Sequence, residues 1–394
     1  MRLAKKMGNL GTETAFEVLA RAKALEAEGR KVVHLEIGEP DFDTPANIIR
    51  AGVEAMQGGW THYGPSAGLP ELREAIAAEI GRTRGIKVGA DEVVVVPGGK
   101  PIMFFLMLAV LEEGTEAVYP NPGFPIYESM IRYTGAKAVP VPLREENEFA
   151  LDVEELAGLL NENTRLLILN SPSNPCGGVL SKGDLDRLAK VLEAYPDLWI
   201  LSDEIYSRIL YEGEHHSLAS YPELRKRVVI LDGFSKTYAM TGWRLGYGVM
   251  DPELAARIAQ LQTNATSCTA AFTQRAGIEA LTGPQDEVVK MVQEFQRRRD
   301  VIVDGLNALP GVSCKKPKGA FYVFPNVKEL GKPSKELENL LLEKAGVASL
   351  TGTSFGAHGE GYLRFSYANS VENIEEALRR FRALIEADFA ETVA

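Results

Sequence analysis

The chain has 394 residues, 45% hydrophobic and 25% charged, with a formal net charge of −11. That length suits about two domains and a sizeable core. An acidic chain with no basic cluster cannot neutralise nucleic-acid phosphates, and no apolar run is long enough to span a bilayer, so neither partner is expected. Cys176, Cys268 and Cys314 are far apart and lack zinc spacing, which points to a reduced, cytoplasmic setting. The first six residues are basic but carry no apolar core, so no signal peptide is expected.

Residues 15–27 repeat Phe16, Leu19, Ala20 and Lys23 at near-helical spacing. A strand over 32–37 runs into Gly38-Glu39-Pro40-Asp41-Phe42, a sharp turn that leaves backbone N–H groups free. Tyr63 precedes Pro70, a start signal for a helix through Ile76 and Ile80. A strand over 92–96 meets Pro97-Gly98-Gly99-Lys100, which opens a helix over 102–111. Two glycines at a helix N-terminus present bare N–H groups at the positive end of the dipole, a cradle for phosphate. It is not a Walker loop, because the spacing is wrong and Pro101 follows the lysine.

An irregular Pro/Gly loop over 120–127 contains Phe124. Strands then alternate with helices: extended at 137–141, helical at 153–160, and a buried strand at 165–169. That strand ends in the proline-locked loop Asn170-Ser171-Pro172-Ser173-Asn174-Pro175-Cys176-Gly177-Gly178. Open α/β sheets place their sites at such strand ends. The next strand, 198–202, ends in Asp203-Glu204-Ile205-Tyr206. His215 and His216 lack partners at metal spacing, so they read as exposed loop and no metal is expected.

A further apolar strand over 228–231 leads into G-F-S-K-T-Y-A-M-T-G-W-R-L-G at 233–246. A lysine held in a dry loop loses ammonium character and becomes a usable amine nucleophile. Arg244, with Ser235 beside Lys236, suits an anion such as phosphate. An amine that captures an aldehyde, next to a phosphate site, describes a place for pyridoxal 5'-phosphate. Helices are expected at 252–261, 270–281 and 287–309, with the 296–300 run as a solvated face. Short strands follow near 320–324 and 346–348. An alternating segment at 361–368 carries Arg364, and a helix follows it.

S-K-x-x-x-x-x-G-x-R-x-G around Lys236 closely resembles the cofactor-lysine signature of the class I and II aminotransferases, in PLP fold type I, nearest the bacterial aspartate-type branch. G-x-P-D-F at Gly38, Y-x-x-x-x-G-x-x-x-L-R at Tyr63, N-x-P-x-N-P-x-G at Asn174, D-E-x-Y at Asp203 and Y-x-R-x-S-Y-A at Arg364 resemble further blocks of that family, in order along nearly the whole chain. The resemblance implies an α/β fold, a mostly parallel mixed sheet sandwiched by helices, with a smaller α+β domain. The large domain is expected at 46–290 and the small one at 1–45 and 291–394.

It also implies a pyridoxal phosphate enzyme that passes an amino group from an L-amino acid to a 2-oxo acid by ping-pong steps. Lys236, Asp203 and Tyr206 would be catalytic. Gly99, Lys100, Phe124, Asn174, Ser235 and Arg244 would surround the cofactor, with Tyr63 reaching the phosphate of a neighbouring subunit, hence a homodimer. Gly38, Asn174, Phe124 and Arg364 would meet the substrate. Lys100 favours an acidic donor, aspartate or glutamate. Glu17, set in the same pocket by alignment of the first helix, would repel a second carboxylate or neutralise Lys100. Alternatives on the same scaffold are a C–S lyase, a decarboxylase, or an aminotransferase for neutral or aromatic donors. A DNA-binding regulator is not expected, because no basic helix-turn-helix precedes the Gly38 turn.

Overall fold

The computed structural model describes residues 2–389 and 392. Twelve strands form three sheets: β1 (Val33–His34), β2 (Val93–Val96), β3 (Glu116–Asn121), β4 (Lys137–Pro142), β5 (Thr164–Asn170), β6 (Trp199–Asp203), β7 (Val228–Gly233), β8 (Gly246–Val249), β9 (Tyr322–Val323), β10 (Val347–Ala348), β11 (Leu350–Thr351) and β12 (Leu363–Ser366). The main sheet has seven strands in the order β2-β8-β7-β6-β5-β3-β4. Only β8 runs against its neighbours β2 and β7; the other pairings are parallel. This is the mostly parallel mixed sheet that the alternating strands and helices imply.

The central strands are rich in Val, Ile and Leu because both of their faces are covered. Successive residues point to opposite sides. Val93, Val95, Leu167, Leu169, Ile200, Val228 and Ile230 therefore join one apolar cluster. Val94, Val96, Leu166, Ile168, Leu201, Val229 and Leu231 join another. In chain order the helices are α1 (Ala15–Ala27), α2 (Ala46–Gln57), α3 (Pro70–Arg84), α4 (Lys100–Val110), α5 (Ile126–Thr134), α6 (Val153–Leu159), α7 (Lys182–Leu192), α8 (Pro252–Thr266), α9 (Ala271–Thr282), α10 (Asp286–Asn307), α11 (Ser334–Leu340) and α12 (Val371–Asp388). Residues of α3, α7 and α9 pack in the first cluster, and residues of α4, α5 and α8 in the second. The helix ends follow local chemistry. Pro70 opens α3, which stops at left-handed Gly85; Ser181 and Asp184 cap α7 reciprocally.

A third cluster gathers Val33 and Leu35 from the start of the chain with Phe295, Phe321, Leu363, Phe365, Phe381 and Ile385. β1 pairs in parallel with β10, so the two ends of the chain meet there. The strand expected over 32–37 is ladder-paired only at Val33 and His34, since the chain is already turning toward Gly38.

Two expectations about polar residues are corrected. The 296–300 run is not a solvated face: Arg298 is 6% exposed and Arg299 1%. Arg298 is paired with Asp41 at 2.6 Å and Glu294 at 2.9 Å, while Arg299 donates to the Pro317 carbonyl at 3.1 Å and lies over the Tyr211 ring. His215 is not an exposed loop residue. Its Nε2 is 3.0 Å from Glu204, within a buried network in which Arg84 donates to Glu204 at 2.7 Å and to Asp232 at 3.1 Å. Burial alone would raise the Glu204 pKa, but Arg84 and His215 outweigh it and hold the carboxyl well below its usual range. This network sits where β6 ends and at Asp232, one residue before the end of β7, and so braces the two strands that deliver Asp203 and Lys236.

Candidate active site

The parallel strands β5, β6 and β7 end side by side, at Asn170, Asp203 and Gly233. The loops that follow carry Asn174, Tyr206 and Lys236. They open on a cavity of about 870 Å³, whose wall also includes Gly38, Gly99, Lys100, Phe124, Ser235, Arg244 and Arg364. Eleven of the thirteen residues singled out in the sequence thus share one cavity. The other two do not. Tyr63 is 91% exposed. Glu17 is also exposed, in the first turn of α1, and is absent from the cavity wall; Glu13, one helical turn earlier, reaches Lys100 instead. The alignment that put Glu17 in the pocket is therefore corrected. The lead-in to α1 brings Glu13 to the cavity, and α1 itself turns Ala15, Phe16 and Leu19 toward it but not Glu17.

The Lys236 Nζ donates to the Gly38 carbonyl. Burial lowers its pKa to about 8, with Arg364 and Lys100 acting in the same direction and Glu39 and Glu13 against it. About a tenth of the amine is then neutral at pH 7, far more than for a solvated lysine, as a nucleophile and proton acceptor requires. Gly38 leaves room for the Tyr322 hydroxyl, which a Cβ there would strike.

Asp203 is 5% exposed, and burial pushes its pKa up to about 6. Tyr127 donates to its Oδ2 at 2.6 Å and the Ile205 amide to its Oδ1 at 3.3 Å, both working against that rise. The Asn170 side chain holds the Asp203 carbonyl at 3.1 Å and accepts from the Asn174 amide at 2.9 Å, which ties the two loops together. The Tyr206 hydroxyl is 2.8 Å from that of Tyr322, and burial pushes its pKa well up, so it stays a neutral hydroxyl.

On the opposite wall, Arg364 lies inside β12 and is 4% exposed. It donates to Asn174 Oδ1 at 3.3 Å and to the Glu36 carbonyl, and its guanidinium lies 4.6 Å from the Tyr322 ring centroid. Its Nε is buried without a partner. A buried guanidinium with a free N–H beside the cavity calls for an anion, best a planar carboxylate. Arg244, at the rim, adopts a left-handed φ of 54° and donates to the Thr241 carbonyl at 2.7 Å. It leaves no room at Gly98, where a Cβ would lie 2.8 Å from its Cζ.

The residues fit pyridoxal phosphate on three counts. A buried carboxylate stands where a protonated ring nitrogen would neutralise it. The Gly98-Gly99 turn leads into the N-terminus of α4, and the Arg244 guanidinium lies against Gly98, so backbone N–H groups and a cation could meet a phosphate there. A lysine of lowered pKa supplies the amine. Among the described residues, no group of three or more His, Cys, Asp or Glu is placed to hold a metal ion.

Reasoning from sequence missed Tyr127, Tyr322 and Glu13. No local signal sets the hydroxyls of Tyr127 and Tyr322 apart from those of other tyrosines.

The family model for aminotransferases of class I and II matches residues 30–381. The aspartate aminotransferase of Pyrococcus horikoshii is 40% identical over 94% of this chain and 94% of its own. The solved aspartate aminotransferase of Rhizobium meliloti superposes with a TM-score of 0.94 at 37% identity, over 98% of this chain and 99% of that one. An aromatic aminotransferase from Pyrococcus horikoshii superposes at 0.89 with 39% identity, over 95% of this chain and all of that one. With motifs, fold and cavity in agreement with these matches, the chain belongs to the class I and II aminotransferases, enzymes that work with pyridoxal phosphate.

Proposed function

We propose that the cavity between β5–β7 and β12 is the active site of an aminotransferase in which Lys236 is the catalytic base. The observation that carries this is the convergence in one cavity of a lysine of lowered pKa, a buried carboxylate and a buried arginine with an unpaired N–H. When bound, pyridoxal phosphate supplies an electron-accepting ring that weakens the substrate Cα–H bond. Asp203 would keep the ring nitrogen protonated, Asn174 and Tyr206 would donate to the phenolic oxygen, and Phe124 would cover the ring face. Gly99, Lys100, Ser235 and Arg244 would hold the cofactor at its phosphate end. Arg364, Asn174 and Gly38 hold the donor's α-carboxylate. Once its nitrogen is free, Lys236 would take the Cα proton at Nζ and hand it, on the same face, to the C4' carbon of the bound cofactor. Substrate and product follow each other through one site, so the kinetics are ping-pong.

The favoured donor is aspartate or glutamate. Lys100 on the cavity wall supports that reading, since its ammonium suits a second carboxylate. A second reading, neutral or aromatic donors, draws on the Glu13–Lys100 pair and on the aromatic relative. A panel of amino donors with 2-oxoglutarate, pyruvate and oxaloacetate as acceptors tests both. Acceptor-dependent formation of a new amino acid is expected. Pyruvate and ammonia without an acceptor would mark a lyase, and loss of CO2 a decarboxylase.

We also infer a cytoplasmic homodimer with lobes at 46–290 and at 1–45 with 291–394. Ile49, Val53 and Met56 form a half-exposed stripe on one face of α2, close in sequence to the exposed Tyr63, which suits an interface where Tyr63 completes the partner's phosphate site. The three unpaired cysteines suit a reducing compartment.

A further inference from the structure

Lys100 is the first residue of α4, and its side chain is 50% exposed. Its ammonium lies 5.5 Å from the Phe124 ring centroid and forms an ion pair with Glu13, whose side chain is 20% exposed. Glu13 precedes α1 and is fastened from both sides. The Gly11 amide donates to Ser129 at 2.8 Å, and the Thr14 hydroxyl donates to Ser354 at 2.6 Å. Both Glu13 and Lys100 line the cavity. The Glu13 charge is also within electrostatic reach of Lys236 and Arg364.

The cavity therefore already holds one carboxylate at its side-chain end. On the aminotransferase reading, a donor anchored on Arg364 shares the cavity with this pair, and its side chain has to be accommodated beside it. A side chain ending in a second carboxylate finds its cation occupied and a like charge beside it. To pair with Lys100 it has to displace Glu13. An uncharged side chain makes no such demand and meets Phe16, Leu19 and Phe124 on the same wall.

We propose that Glu13 is a specificity-determining residue, an internal competitor for the distal carboxylate of dicarboxylic donors, which holds back acidic relative to uncharged donors. This rests on the aminotransferase reading above. The test uses holoenzyme and compares kcat/KM for aspartate with that for phenylalanine. Glu13→Gln is expected to raise the aspartate-to-phenylalanine ratio about tenfold, mainly through a lower KM for aspartate. Adding Lys100→Met to Glu13→Gln is expected to reverse that gain. Glu13→Ala serves as a second variant, and the absorbance of bound cofactor reports that each variant is folded. A ratio within twofold of the parent, or a rise caused only by a lower kcat for phenylalanine, overturns the proposal. Folded, cofactor-loaded enzyme with no turnover on any donor overturns the aminotransferase reading and takes this proposal with it.

Discussion

Arg364 and Lys100 are cations of the same cavity, built in opposite ways. Arg364 stands inside β12, 4% exposed, between two aromatic rings, and holds a carbonyl and an amide oxygen. Its direction is fixed before any ligand arrives. Lys100 is half exposed on a flexible stem, with one carboxylate from a chain lead-in as its ion-pair partner. A buried guanidinium with an unsatisfied N–H has a strong, geometrically specific demand for an anion. A half-exposed ion pair contributes little and re-forms with other partners. On the proposed reading, the end of the cavity that would meet what all amino acids share is thus rigid, and the end that would meet what distinguishes them is adaptable.

The largest expected effect lies at the rigid end. On the proposed reading, Lys236→Ala removes the proton acceptor and the amine that captures the cofactor. It is expected to lower kcat by at least about 10⁴-fold, measured by single-turnover absorbance with aspartate. Borohydride reduction of the parent should leave a cofactor adduct on the peptide containing Lys236, absent from the variant. A variant that keeps a tenth of the parent rate would break the assignment of Lys236.

Next comes Arg364→Lys. The ammonium cannot reproduce a planar fork held by Asn174 and the Glu36 carbonyl. Breaking a buried, hydrogen-bonded charge contact costs about 2 kcal/mol or more, at least about thirtyfold in kcat/KM, and the loss should fall equally on acidic and uncharged donors. A loss confined to acidic donors would reverse the comparison.

The electrostatics of the rigid end make a smaller, pH-dependent prediction. Burial disfavours the Lys236 ammonium, so its pKa falls to about 8. In cofactor-free enzyme, acylation of Lys236 by an amine-directed reagent should rise about tenfold per pH unit below that value and flatten above it. Half-maximal reactivity is expected near pH 8, read by peptide mass spectrometry. Reactivity still climbing at pH 10 would mean the amine is as solvated as a surface lysine.

What the sequence made legible divides along the same line. Asn174, Asp203 and Lys236 each follow or end a buried parallel strand, and β-strand periodicity locates strand ends well. The loops of Asn174 and Lys236 carry proline or glycine, which leaves few ways to turn, and Asp203 is itself the last residue of its strand. The side-chain end has no such anchor. Glu13 lies outside any periodic element, so a shift of one helical turn moved the expected carboxylate to Glu17. Arg298 and Arg299 escaped for a related reason. Their partners Asp41, Glu212 and Pro317 are 257, 87 and 18 residues away, and a charge run looks the same to local pattern whether tertiary structure buries it or not. His215 was misread likewise, because its partner Glu204 shows itself only once β6 is placed.

The smallest effect belongs to Lys100→Ala. The substitution removes the only ion-pair partner recorded for Glu13 among the described residues and leaves the carboxylate at the side-chain end unopposed. Acidic donors then lose a cation and still face a like charge, whereas uncharged donors lose neither attraction nor compatibility. Since a half-exposed pair contributes at most about 1 kcal/mol, the aspartate-to-phenylalanine ratio of kcat/KM is expected to fall by roughly fivefold or less. The drop should shrink as ionic strength rises, because salt screens exposed charges more than buried ones. Arg364→Lys, by contrast, should show no such salt dependence. An unchanged donor ranking in Lys100→Ala would remove Lys100 from substrate selection. A drop as large as that of Arg364→Lys would mean that the two ends of the cavity are equally rigid.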